Sequence, residues 1–179
     1  MHTLKIACMG PWFLLLAQVV SASQAVDTCK LPADLQFEIS KSHPGAKIVR
    51  LPDLEEDDRH YFVTDHDDAC PGLVKVDFYG DGAPTFALLL GEQSRSKKQT
   101  ELIVVHLVSG KWRAVSLGTG DAVPYAPAIW SEAPGKYRDV YGRKTIHASR
   151  PVIVFCKYEG WAIVYSWTGD HVDKVWILD

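Results

Sequence analysis

Apolar and polar positions alternate along most of this chain, with the period of strands. Val74, Val76 and Phe78 fall on one face and Lys75, Asp77 and Tyr79 on the other, which predicts a half-buried strand over 73–79. Residues 84–90 are apolar on both faces, as in a central strand, with Pro84 tolerated only at its start. "ELIVVHLV" and "KWRAVSL" flank Ser109-Gly110, a short hairpin signal. "PVIVFCKY", "WAIVYSW" and "HVDKVWIL" follow, the last two joined across Thr168-Gly169-Asp170. Trp161, Ile163, Tyr165 and Trp167 share one face of their strand.

A helical period stands out in "LPADLQFEISKSHPGAKIV", where Leu35 and Ile39 are spaced four apart. Pro32 suits a first turn, and His43-Pro44-Gly45 stops the helix because Pro44 disfavours a helical residue before it. Residues 46–51 are then a candidate first strand. Residues 118–137 hold three prolines and three glycines and predict a long irregular loop that carries Tyr125, Trp130 and Tyr137. The fold class expected is α+β: one N-terminal helix packed on an antiparallel β-meander sheet of about six to eight strands.

The amino terminus reads differently. Lys5 precedes an apolar run over residues 6–20, and Ser23 and Ala25 stand at the small-x-small positions of a signal-peptidase site. Pro11 and Gln18 interrupt a run already short for a membrane span. Residues 1–25 are expected to be a cleaved signal peptide and 26–179 a single α+β domain, periplasmic or secreted. Membrane involvement then ends with the leader. Cys8 leaves with it, so Cys29, Cys70 and Cys156 remain. Cys29 and Cys70 lie near element ends and are expected to form a disulfide, while Cys156 sits in an apolar strand as a buried thiol.

The formal net charge is −3, and such a balance does not suggest a nucleic-acid partner. The charge is segregated. Residues 53–68 carry eight of the 22 acidic residues against one basic residue, Arg59. The segment is expected to be a solvated loop that can steer and hold a basic surface. Within it His60, Asp65, His66, Asp67 and Asp68 are metal-ligand types, but their spacing matches no ligand motif. His106 shares a face with Leu102, Val104 and Val108, as a core histidine would. There is no G-x-S-x-G, H-E-x-x-H or P-loop, and no spacing joins Ser, His and Asp into a triad.

The stretch "DFYGDGAPTFAL" resembles the calcium loops of EF-hand, dockerin and FG-GAP-type proteins. With "HPGAKIV" and the terminal "VYSWTGDHVDKVWILD", the chain resembles a loose group of exported bacterial proteins that carry a D-F-x-G-D-G hairpin. The resemblance implies Asp77 and Asp81 as metal ligands and Gly82 as the sharp turn. Calcium takes roughly six to eight oxygens. Tyr79, Thr85 and Leu88 stand where further ligands would be and supply no carboxylate, so the ligand count favours a plain hairpin turn.

The function expected is that of a non-enzymatic exported binding protein of the cell envelope, an inhibitor or immunity protein for a toxic or lytic enzyme. Its partner would be another protein with a basic surface. The contact residues would be Glu55, Glu56, Asp57, Asp58 and Asp67, with Tyr125, Trp130 and Tyr137 as aromatic anchors. No cofactor is expected. The alternative is a calcium-dependent structural or adhesion module built on Asp77 and Asp81.

Overall fold

The computed structural model describes residues 27–93, 98–121 and 125–178. The leader expected at 1–25 lies outside the described residues. The architecture is α+β and rich in antiparallel strands, but it has two packed sheets and two α-helices instead of one helix on one meander. In the first sheet β1 (Lys47–Ile48) and β2 (Leu73–Lys75) both pair with the same edge of β3 (Thr85–Gln93). Then come β4 (Lys98–Val108) and β5 (Lys111–Asp121). The second sheet has the order β11 (Val172–Leu178), β10 (Trp161–Trp167), β9 (Val152–Lys157) and β6 (Ala128–Glu132). A hairpin of β7 (Gly135–Arg138) and β8 (Thr145–Ala148) lies on its outer face.

The reason for two sheets is written in the two-sided strands. On β3, Phe86, Leu88 and Leu90 pack under α1 (Ala33–Ser42) against Leu35 and Ile39. Ala87 and Leu89 of the same strand turn the other way and meet Ile129, Ile153 and Phe155 of the second sheet. β9 repeats the arrangement, with Ile153 and Phe155 inward and Val152, Val154 and Cys156 under the β7–β8 hairpin. An apolar strand with two buried faces requires a cover on each. The layers are therefore helix, sheet, sheet, hairpin.

Residues 53–68 are not a solvated loop. A 3₁₀ turn at Leu51–Asp53 leads into a second helix, α2 (Glu56–His66). Glu56, Asp57 and Asp58 occupy its first turn, where carboxylates complement the helix dipole. Leu54 and Phe62 are fully buried. The inward stripe runs Leu54, Asp58, Phe62 and the half-buried His66, four residues apart, and the two polar members hide its helical period from a hydropathy reading.

Residues 118–137 are not one irregular loop either. β5 runs through Gly118 and Gly120, which let the sheets approach: a Cβ at Gly118 would stand 2.7 Å from the Tyr165 hydroxyl, and one at Gly120 would stand 3.1 Å from the Phe155 ring. β6 then pairs with β9 as an edge strand, where nearby prolines do no harm. The strand predicted over 73–79 ends at Lys75, although Val76 and Phe78 continue the buried face. Cys29 and Cys70 form the expected disulfide, and Cys156 is a buried free thiol. Among the described residues no helix is long and apolar enough to cross a membrane.

Candidate functional site: the acidic helix and its aromatic seat

The face that α2 turns to solvent carries His60 and Thr64 along its middle and carboxylates at both ends. Glu55, Glu56 and Asp57 are exposed at its start and Asp65, Asp67 and Asp68 at its end, with Tyr61 and Val63 exposed between them. Arg59, the one basic residue of the segment, does not neutralise this face. Its guanidinium folds back and donates from Nε to the Leu51 carbonyl (3.1 Å) and from Nη2 to the Leu54 carbonyl (3.2 Å). Six carboxylates are thus left on α2 and its flanking residues, three at each end, with Tyr61 and Val63 exposed on opposite flanks between them.

The helix sits on a row of stacked rings. Tyr61 stacks on Tyr158 at 5.8 Å between centroids, and Tyr158 stacks on Trp130 at 5.8 Å. Trp130 meets His66 at 4.7 Å, and His66 meets Phe62 at 4.9 Å. The Tyr61 hydroxyl donates to Glu159 (3.1 Å) and the Trp130 indole N–H to Glu132 (2.8 Å). The row links α2 to the β9–β10 turn and to β6. Trp130 is therefore half-buried as the seat of the helix, and Tyr61 is the ring of the row that reaches the surface.

Beneath the helix the polar groups are poorly matched. Asp58 is only 4 % exposed, so it lies inside and is not part of the acidic face on which it was expected. Asp58 Oδ2, His66 Nε2 and the Tyr158 hydroxyl are buried, with no hydrogen-bond partner among the described residues. Burial, and then the nearby Glu55, hold the Asp58 carboxyl above its ordinary range. Burial lowers the His66 imidazole and raises the Tyr158 phenol. Burial, reinforced by Asp58, pushes the Cys156 thiol up to about 12, which leaves it an inert core residue.

These shifts set opposite pH slopes. A raised carboxyl binds its proton more readily in the folded state, so Asp58 costs stability when ionised and gains it as the pH falls through its folded value. A lowered imidazole resists protonation in the folded state, so the His66 contribution is present above the ordinary value of 6.5 and declines below it. Asp58→Asn should therefore raise the melting temperature at pH 7 by a few degrees, and the gain should shrink as the pH is lowered. Melting curves of both proteins between pH 7 and pH 4 check this, and a constant difference would contradict it.

The other predicted residues fall elsewhere. Tyr125 is exposed at the rim of a cleft of about 720 Å³ between α1 and the 3₁₀ turn. There Arg50 is bidentate to Asp27 at 3.1 Å and 3.1 Å. Tyr137 packs over the outer face of the second sheet and donates its hydroxyl to the Ala133 carbonyl. Asp77 Oδ1 accepts the Gly80 N–H (2.9 Å), and Asp81 Oδ1 accepts the Ala83 N–H (3.0 Å). Asp81 Oδ2 lies 3.1 Å from His106 Nε2, at an angle too bent for a hydrogen bond, and the Tyr79 ring stacks on that imidazole at 4.5 Å. Gly80 and Gly82 both adopt positive φ, +69° and +74°. The two carboxylates thus brace a turn. Among the described residues no three His, Cys, Asp or Glu side chains gather as a metal site.

No family model matches the chain, and no curated protein or solved structure matches it significantly. The site is accordingly argued from its own residues. Tyr61, Val63, Tyr158 and Glu159 were missed by the sequence reading. Tyr61 and Val63 emerge only once the segment is helical, because Leu54, Asp58, Phe62 and His66 then define the inner face. No local signal singles out Tyr158 and Glu159 in the tight turn after β9.

Proposed function

We propose that this chain is a non-enzymatic exported binding protein of the cell envelope, and that α2 engages a basic surface on another protein. The class that fits is an inhibitor or immunity protein that occupies the basic site of a toxic or lytic enzyme. The observation that carries the reading is the set of six exposed carboxylates at the two ends of α2, with Arg59 turned away to backbone carbonyls. The exposed Tyr61 and Val63 add apolar contact area beside these charges. The ring of rigid stacked side chains beneath holds the helix in place, which lowers the ordering cost of binding. The disulfide is compatible with an oxidising compartment outside the cytoplasm.

Reversing three charges, Glu55→Lys, Glu56→Lys and Asp57→Lys, should weaken capture of the partner from a periplasmic extract by about tenfold or more in low salt. The difference should narrow as salt rises, because exposed charges are screened. Undiminished capture by the reversed variant, with its fold intact by circular dichroism, would rule out the acidic face.

A further inference from the structure

Among the described residues, β3, β6 and β11 each have a partner on their outer side. β1 and β2 fill the outer edge of β3, and the intervening chain continues the pairing as Val49 N–H donates to the Leu89 carbonyl (3.0 Å). On the second sheet, Ile129 N–H of β6 donates to the Pro71 carbonyl (2.8 Å). At the opposite edge Val140 N–H donates to the Trp176 carbonyl of β11 (2.8 Å), and Lys144 reaches the Lys174 carbonyl (3.2 Å). β5 differs: among the described residues it pairs with β4 alone, and nothing bonds to its outer side.

The bare part is sharply bounded. Cover from α1 ends at Trp112, whose indole donates to Asp34 (2.9 Å). Cover from the second sheet begins at Leu117, beside the bulge where the β4–β5 register shifts. Between them Arg113, Ala114, Val115 and Ser116 are exposed on both faces, Val115 at 47 %. Unpaired edges invite an added strand, and proteins ordinarily cover them. The charges nearby choose the kind of strand. Lys111 and Arg113 are exposed, and neither side chain has an ion-pair or hydrogen-bond partner among the described residues. Two copies of this stretch laid antiparallel about Trp112 or Arg113 would set these cations against each other, which disfavours those registers of a second copy.

We infer that Lys111–Ser116 is a strand-addition site for an extended acidic segment of another protein, one that alternates carboxylates with β-branched residues. Its backbone would complete the β5 ladder, its carboxylates would lie on the face of Lys111, Arg113 and Val115, and its β-branched side chains would lie on the opposite face beside Trp112 and Ala114. The site shares no residue with α2 and stands independently of the α2 reading.

The test uses ¹⁵N-labelled protein beginning at residue 26 and two synthetic probes. One is an acetylated, amidated peptide of alternating valine and glutamate, and the other is its valine–lysine counterpart. The acidic peptide should slow amide exchange across 111–116 by about tenfold or more and leave 55–66 unchanged, while the lysine peptide should do neither. Lys111→Glu with Arg113→Glu, two exposed substitutions, should exchange the preferences of the two peptides. Equal response to both peptides, or no added protection at β5, would overturn the site. So would sedimentation of the protein alone as a dimer with the same amides protected, which would give the edge to a second copy.

Discussion

Phe62→Ala should cost about 3 to 5 kcal/mol and lower the melting temperature by roughly 10 °C, the largest effect of any single truncation in α2. Phe62 has no solvent exposure and anchors the helix in the core between the sheets, together with Leu54 and Phe78. It also backs His66, so the hole would loosen the ring row from its inner end. Beyond Leu54, Phe62 and the ring row, little apolar contact holds the helix. No side chain caps its first turn, and its second buried position is a carboxylic acid. Phe37→Ala is the matched control, because Phe37 is 66 % exposed on α1 and should change stability by less than about 0.5 kcal/mol. Urea titration of the two variants decides the point. Equal midpoints would mean that α2 is not docked through Phe62.

Loss of the disulfide should have a comparable effect through a different state. Cys29 and Cys70 are 41 residues apart, and closing a loop of that length restricts the unfolded chain by about 4 kcal/mol on the chain-entropy model. In the folded protein the bridge ties the segment before α1 to the segment after α2, where Thr28 also donates to the Asp68 carbonyl (2.9 Å). Cys29→Ser with Cys70→Ser should thus destabilise the whole domain, and a reductant should bring the wild-type midpoint down to that of the variant. A reductant that shifts the wild-type curve by less than about 1 kcal/mol would show that the bridge adds little.

Much of the sheet structure was legible because strand periodicity and turn chemistry act locally. The β4–β5 turn at Ser109-Gly110 has both residues at positive φ, +50° and +73°, as a tight two-residue hairpin requires. The inward face of β10 and the pairing of Cys29 with Cys70 were equally accessible. Three features were not. The apolar residues on both faces of β3 pointed to a central strand, yet the same fact also called for a second sheet, and strand order is a non-local property. Gly118 and Gly120 read as loop markers, whereas their role is close approach beneath Tyr165 and Phe155, which only the packed sheets reveal. The second helix escaped because its buried stripe is half polar: Asp58 and His66 alternate with Leu54 and Phe62, and the carboxylate density that suggested a loop serves the first turn of a helix.

The same concealment shaped the view of the site. Acidic density located the segment, and Glu55, Glu56, Asp57 and Asp67 are indeed on its surface. The sequence could not show which way each side chain turns. Asp58 goes inward, Trp130 becomes the seat of the helix, and Tyr61 takes the exposed position between the two groups of carboxylates. Tyr125 and Tyr137 belong to separate parts of the surface, because β5 and β6 carry the intervening chain away from a single loop.

Site-specific photocrosslinking in the periplasm tests the α2 interface most directly. A benzophenone amino acid replaces Val63, exposed on α2 between the two groups of carboxylates, and in a separate protein it replaces Lys136, exposed on β7. A single discrete adduct from position 63, lost when Glu55, Glu56 and Asp57 are reversed to lysine and missing from position 136, is the predicted result. Adducts that form equally from both positions, or no adduct from position 63 where the protein is folded and present, would contradict it.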